Sequence, residues 1–135
     1  MSSSRTNNFH ITIVEDDPFA QEFYKLIFKK TGYLTDVIED GDKLFDFLEQ
    51  NRTHLVIMDI NLKNTFLKGK RVDGVILASA LKKNIKTSNI PILMVTAFTE
   101  YDGTKIEHFA DDYIIKPIVD FNKLLSKVGR LIERE

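Results

Sequence analysis

Glu15-Asp16-Asp17, Asp59, Thr96 and Lys116 are the residues of this 135-residue chain whose types could do chemistry together. Carboxylates brought together repel one another. A hard divalent cation among them lowers that cost. Magnesium suits oxygen donors, keeps several waters, and usually takes one or two protein carboxylates plus phosphate oxygens. Its charge also makes a dianionic phosphoryl group tolerable beside the acids. Lys116 would bring a compact positive charge and Thr96 a hydroxyl donor for the remaining phosphoryl oxygens. Phosphoryl transfer asks little of a protein beyond such positioning and charge stabilisation. One carboxylate is then left as nucleophile, and carboxylates do form acyl-phosphates. Asp59 is the better candidate, because it stands alone after an apolar run while Glu15 and Asp16 form a metal-holding pair.

Each residue also has a plain structural role open to it. Acids are favoured at helix N-termini, which suits Asp17. Aspartate often ends strands at turns, threonine favours strands, and lysine is ordinarily solvated. The set is stronger than its members, since each falls at the end of a different apolar segment.

Those segments alternate in kind. A run rich in β-branched residues at 11–14, apolar runs at 55–58 and 91–95, and short segments at 34–38 and 113–115 read as strands. Between them lie segments with helical spacing at 18–30, 42–50, 74–83, 101–109 and 120–134. The inward residues expected are Phe19, Phe23, Leu26 and Ile27 on the first helix and Leu44, Phe45 and Leu48 on the second. Ile76, Leu77, Ala80 and Leu81 are expected inward on the third, and a stripe from Phe121 to Ile132 on the last. Residues 61–72 lack periodicity and read as a loop, and 1–8 as a disordered lead. Apolar strands separated by amphipathic helices predict a doubly wound parallel α/β sheet. In such sheets the ligand site lies beyond the carboxyl ends of the strands, where all the candidate residues fall.

Composition excludes several classes. The net charge of −1 gives no field that would gather nucleic acid. No apolar run approaches membrane-spanning length, and 1–8 is not a signal peptide. With no cysteine there is neither disulfide nor thiolate metal site, which agrees with a cytoplasmic location. His10, His54 and His108 show no metal-ligand spacing, and Met58 and Met94 read as core.

The chain resembles the receiver domain of bacterial two-component response regulators. The matching stretches are 13–18 (Ile-Val-Glu-Asp-Asp-Pro), 55–62 (Leu-Val-Ile-Met-Asp-Ile-Asn-Leu), Asp73-Gly74, 91–97 (Pro-Ile-Leu-Met-Val-Thr-Ala) and 111–117 (Asp-Asp-Tyr-Ile-Ile-Lys-Pro). The resemblance covers residues 9–135. It implies five strands in the flavodoxin-like order 2-1-3-4-5 with five helices. It also implies that Asp59 accepts a phosphoryl group from a phosphohistidine on a sensor histidine kinase or histidine phosphotransfer protein. Asp16 would bind magnesium directly and Glu15 through water, Asn61 would offer its backbone carbonyl, and manganese would substitute for magnesium. Thr96 and Lys116 would hold phosphoryl oxygens, and Tyr113 would be the switch aromatic. No turnover of an external substrate is expected. Output would pass to a protein partner, without nucleic acid or membrane, and a homodimer is allowed. The chain ends just after the last helix, so a single-domain receiver is expected.

Three departures from the family pattern stand out. Fifteen positions separate Asp59 from Gly74, more than usual, and the insert carries Lys63, Lys68, Lys70 and Arg71 with no acid. It reads as a mobile surface loop, or as a lid or docking patch for an acidic partner; Phe66 and Leu67 within it need cover. Twenty positions separate Thr96 from Lys116, so the fourth helix should be short or irregular, and Phe109 stands where the family commonly has glycine. Phe98 at the rim of the site suggests protection of the acyl-phosphate from water. The competing readings are a small magnesium-dependent phosphohydrolase with an aspartate nucleophile, a flavodoxin-like cofactor carrier, and a receiver-like binding module that works without phosphorylation.

Overall fold

The computed structural model describes residues 9–97 and 109–133. The expected lead, Phe98, His108 and nearly all of the expected fourth helix lie outside the described residues. The elements are β1 (His10–Val14), α1 (Pro18–Lys29), β2 (Leu34–Ile38), α2 (Gly41–Gln50), β3 (Leu55–Asp59), β4 (Phe66–Leu67) and β5 (Lys70–Arg71). After these come α3 (Gly74–Lys83), β6 (Ile92–Ala97), β7 (Asp112–Lys116) and α4 (Phe121–Glu133).

The five long strands form one parallel sheet in the order β2-β1-β3-β6-β7. This is the expected 2-1-3-4-5 order, with β6 and β7 as fourth and fifth strands. Every residue of β3 is buried, as a central strand covered on both faces requires. Alternation along it supplies two cores. Val56 and Met58 face Leu44 and Leu48 of α2 and Leu77 and Leu81 of α3. Leu55 and Ile57 face Tyr24 and Phe28 of α1 and Leu124 and Val128 of α4. Burying each such side chain contributes about 1.5–3 kcal/mol.

Aspartates start the helices. Asp17, Asp40, Asp73 and Asp120 each accept a bond from the backbone amide three residues on. Asp17 therefore holds the structural role that its position suggests.

Some inward positions differ from expectation. Phe19 and Leu26 are exposed, whereas Tyr24 and Phe28 are buried. The buried stripe of α1 is rotated toward 20, 23, 24, 27 and 28. An i, i+4 reading of apolar residues chose a neighbouring stripe because α1 is apolar over more than one face. Ile76 and Phe121 are exposed for the same reason, each lying at the edge of its stripe.

Residues 61–72 do not form a structureless loop. β4 and β5 make an antiparallel hairpin closed by Lys68-Gly69, both at positive φ (52° and 80°). Positive φ at both central positions is the two-residue hairpin turn. Strands of two residues are too short to show periodicity, and lysine rather than asparagine or aspartate opens the turn. The hairpin lies against α2. The amide of Lys68 donates to both carboxylate oxygens of Asp42 at 3.1 and 3.3 Å. Leu67 packs on the core. A Cβ at Gly41 would fall 2.6 Å from the carbonyl oxygen of Phe66, so glycine permits this approach.

Candidate functional site

β3 delivers Asp59 to the carboxyl edge of the sheet, where it is 3% exposed. Its backbone is clamped from two sides. The amide of Ile60 donates to the Val95 carbonyl on β6, and the amide of Gly74 donates to the Ile60 carbonyl, both at 3.0 Å. A Cβ on Gly74 would sit 2.1 Å from the Asp59 carbonyl oxygen, so only glycine lets α3 start this close.

The Asp59 carboxylate has two firm donors. The amide of Asn61 donates to Oδ1 at 2.9 Å, and Lys116 Nζ donates to Oδ2 at 2.8 Å. Lys116 ends β7, which pairs with β6 so that Lys116 lies beside Ala97. From there its side chain reaches to Asp59.

Glu15 directly follows β1 and is buried beside Asp59. Its Oε2 accepts from the Asp17 amide at 3.0 Å. Its Oε1 is buried and has no ordinary donor. Burial first, then a hydrogen bond shared with Asp59 and the charge of that group, push the Glu15 carboxyl up to about 8. The Asp17 amide and the Lys116 charge oppose the rise. Tyr24 lies nearby in the core; its phenol is raised by burial and by the Glu15 and Asp59 charges.

Asp16 is held through one oxygen by the stretch after β3. Its Oδ2 accepts from the amides of Lys63 and Asn64, both at 2.8 Å, and from Thr65 Oγ1 at 2.9 Å. Among the described residues its Oδ1 accepts none. Thr96 is buried and donates from Oγ1 to the Ala97 carbonyl at 3.1 Å. Tyr113 is 38% exposed, with Lys127 Nζ 5.9 Å from its ring centroid. Glu15, Asp59, Asn61 and Lys116 are thus joined by contacts, while Asp16 turns its Oδ2 to the hairpin and Thr96 and Tyr113 make other contacts.

Among the described residues no three histidine, aspartate or glutamate side chains converge on one point. The donor chemistry nevertheless suits magnesium. Asp59 and Glu15 are neighbouring carboxyl groups, and the orphaned Glu15 Oε1 is an oxygen that a bound cation would satisfy.

The residue that sequence reasoning passed over is Thr65. It is fully buried and bonded to Asp16, yet nothing in its spacing marks it, because only the docking of the hairpin brings it there. His10 and His54 also meet, at the opposite edge of the sheet. The His10 amide donates to His54 Nδ1, and His10 Nε2 pairs with Asp36, each at 3.0 Å.

Residues 11–129 match the family model of the response regulator receiver domain. The chain is 31% identical over 127 residues to the DNA-binding dual master transcriptional regulator RpaA of Synechocystis sp., covering 92% of this chain and 49% of that protein. It is 30% identical to the TorCAD operon transcriptional regulatory protein TorR of Escherichia coli, covering 93% and 50%. The chain spans about half the length of the curated relatives it matches. Among solved structures it is similar to the signal receiver domain of a signal transduction histidine kinase from Syntrophus aciditrophicus. That match has 32% identity and a TM-score of 0.76, covering 93% of this chain and 90% of the other. The matches do not favour the phosphohydrolase or the binding module that works without phosphorylation. Receiver domains act as phosphoacceptor switches rather than conventional enzymes, and they generally bind magnesium at the phosphorylation site. By sheet order, by the acid and lysine gathered at the carboxyl edge, and by these matches, the chain belongs to the response regulator receiver-domain family.

Proposed function

We propose that Asp59 accepts a phosphoryl group from a phosphohistidine on a sensor histidine kinase or a histidine phosphotransfer protein. The change is then relayed through Thr96 and Tyr113 to a protein partner. The observation that carries this reading is the buried Asp59 carboxylate held between the Lys116 ammonium and the Asn61 amide. A carboxylate oxygen of Asp59 attacks phosphorus, the phosphorus–nitrogen bond breaks, and the donor imidazole leaves with a proton. Lys116 stays close enough to exchange its bond with Asp59 Oδ2 for one with a phosphoryl oxygen. A magnesium ion, held by Glu15, Asp16, Asp59 and the Asn61 carbonyl, would supply the charge that makes the dianion tolerable, and manganese would serve in its place.

Thr96 supplies the relay. Its hydroxyl gives up the neighbouring Ala97 carbonyl for a phosphoryl oxygen. The exposed Tyr113 ring then moves inward on the strand paired with β6, an equilibrium between two packings that the new contact biases. The protein turns over no external substrate, and its partners are cytoplasmic proteins. No described helix is long and apolar enough to cross a membrane.

Incubation with acetyl phosphate and magnesium, followed by intact mass, tests the reading. Wild type should gain one phosphoryl group and Asp59→Asn none. Steady turnover of small phosphate esters would instead support the hydrolase.

A further inference from the structure

We infer that the β4–β5 insert is a positioning element for the metal site: Thr65, with the amides of Lys63 and Asn64, fixes the Asp16 carboxylate so that Oδ1 is the oxygen presented to magnesium. The inference rests on the proposal that Asp16 is a magnesium ligand and says what orients it.

Three donors converge on one oxygen, Asp16 Oδ2, at 2.8, 2.8 and 2.9 Å. Bonds to an ionised carboxylate are stronger than neutral ones. Three on a single oxygen define the rotation of the group. Asp16 itself is only half-buried, so without these donors its side chain would sample several rotamers.

Thr65 is the centre of the arrangement. It is fully buried, and its hydroxyl lies 2.9 Å both from Asp16 Oδ2 and from the Glu39 carbonyl. Its one hydrogen serves two acceptors, of which the carboxylate is charged. The Glu39 carbonyl belongs to the chain just before α2, so Thr65 ties Asp16 to that segment.

The hairpin has anchors other than Asp16. Lys68 bonds to Asp42, Leu67 enters the core, and Gly41 admits the Phe66 carbonyl. Donors on an anchored element arrive already oriented, so orienting Asp16 costs nothing further when the ion binds. Partners that orient a metal ligand typically matter by 10–100-fold in affinity. The insert is docked on α2 and, among the described residues, reaches Asp16 through Thr65 and the Lys63 and Asn64 amides.

Magnesium affinity of the full chain, measured by calorimetry, tests this with three variants. Thr65→Val keeps the shape and loses the hydroxyl, and should weaken binding roughly 10–100-fold. Thr65→Ser restores the hydroxyl and should bind as wild type does. Asp16→Asn should lose most of the affinity. If Asp16→Asn binds magnesium like wild type, the reading of Asp16 as a ligand fails. If Asp16→Asn is weakened while Thr65→Val binds as well as wild type or better, the positioning role alone is overturned. Should Thr65→Val not fold, hydrogen exchange on wild type decides. Coupling is reciprocal, so saturating magnesium must slow exchange at the Lys63 and Asn64 amides, and unchanged rates there would sink the inference.

Discussion

Lys116 Nζ stands 2.8 Å from Asp59 Oδ2 although 57 positions of chain separate the two residues. The lysine is only partly exposed and the aspartate almost fully buried, so the pair places a positive charge at the reacting edge before any phosphoryl group arrives. Lys116→Met should therefore lower the rate of phosphorylation by acetyl phosphate by about a hundredfold, the usual effect of removing one pre-placed donor. Quench-flow sampling with intact mass would measure it. A rate equal to wild type would show that Lys116 is a structural partner only.

Glu15 is buried against Asp59, and its Oε1 has no hydrogen-bond donor among the described residues. Glu15→Gln supplies an amide hydrogen that needs no proton from solvent. The metal-free variant should gain roughly 1 kcal/mol of stability, the net value of an ordinary hydrogen bond. The same change removes a negative charge from the candidate metal site. Thermal unfolding in chelator and again in magnesium should show a higher starting melting temperature and a smaller rise on adding the ion.

The approach of Gly74 to Asp59 predicts a contrast between two glycines. Gly74→Ala would place a Cβ 2.1 Å from the Asp59 carbonyl oxygen, a backbone atom that cannot step aside cheaply. The helix or the strand end must shift, at a cost of about 1–3 kcal/mol or more. Gly129→Ala meets only the Tyr33 hydroxyl, at 4.0 Å, in the middle of α4. Helix propensity should make it stabilising by up to about 1 kcal/mol. Urea unfolding of the two variants compares them directly, and equal effects would refute the argument.

The His10 amide donates to His54 Nδ1, which must be unprotonated to accept. Burial first, then the Arg52 charge, lower the His54 pKa below its usual 6.5. The unfolded chain therefore binds a proton more readily than the folded one. This stability is fully present above pH 6.5 and is lost as pH falls through the depressed folded value. His54→Asn, with an acceptor oxygen in place of Nδ1, should flatten that part of the profile. The check is the difference in melting temperature between variant and wild type from pH 7.5 to 5, which cancels other titrating groups.

Much of the site could be read from residue order alone, for a physical reason. Leu55–Met58 and Ile92–Val95 are apolar through every position, and Ile11–Val14 is interrupted only by Thr12, so they read as strands covered on both faces. Parallel strands put their carboxyl ends on one edge, and the residue following each run arrives there with it. Glu15, Asp59, Thr96 and Lys116 were placed by that rule. Local pattern did not extend to contacts that depend on how two elements dock. Phe19 and Tyr24 are both aromatic and both on α1, and only the angle at which the helix meets the sheet exposes the first and buries the second. Thr65 is an unremarkable residue in an aperiodic stretch until Gly41 lets the hairpin against α2. Then its hydroxyl meets a carboxylate 49 positions away. Apolar runs and aspartate caps act over a few neighbouring residues and are written in chain order. The partner of Asp16 is set by tertiary packing, which chain order does not record.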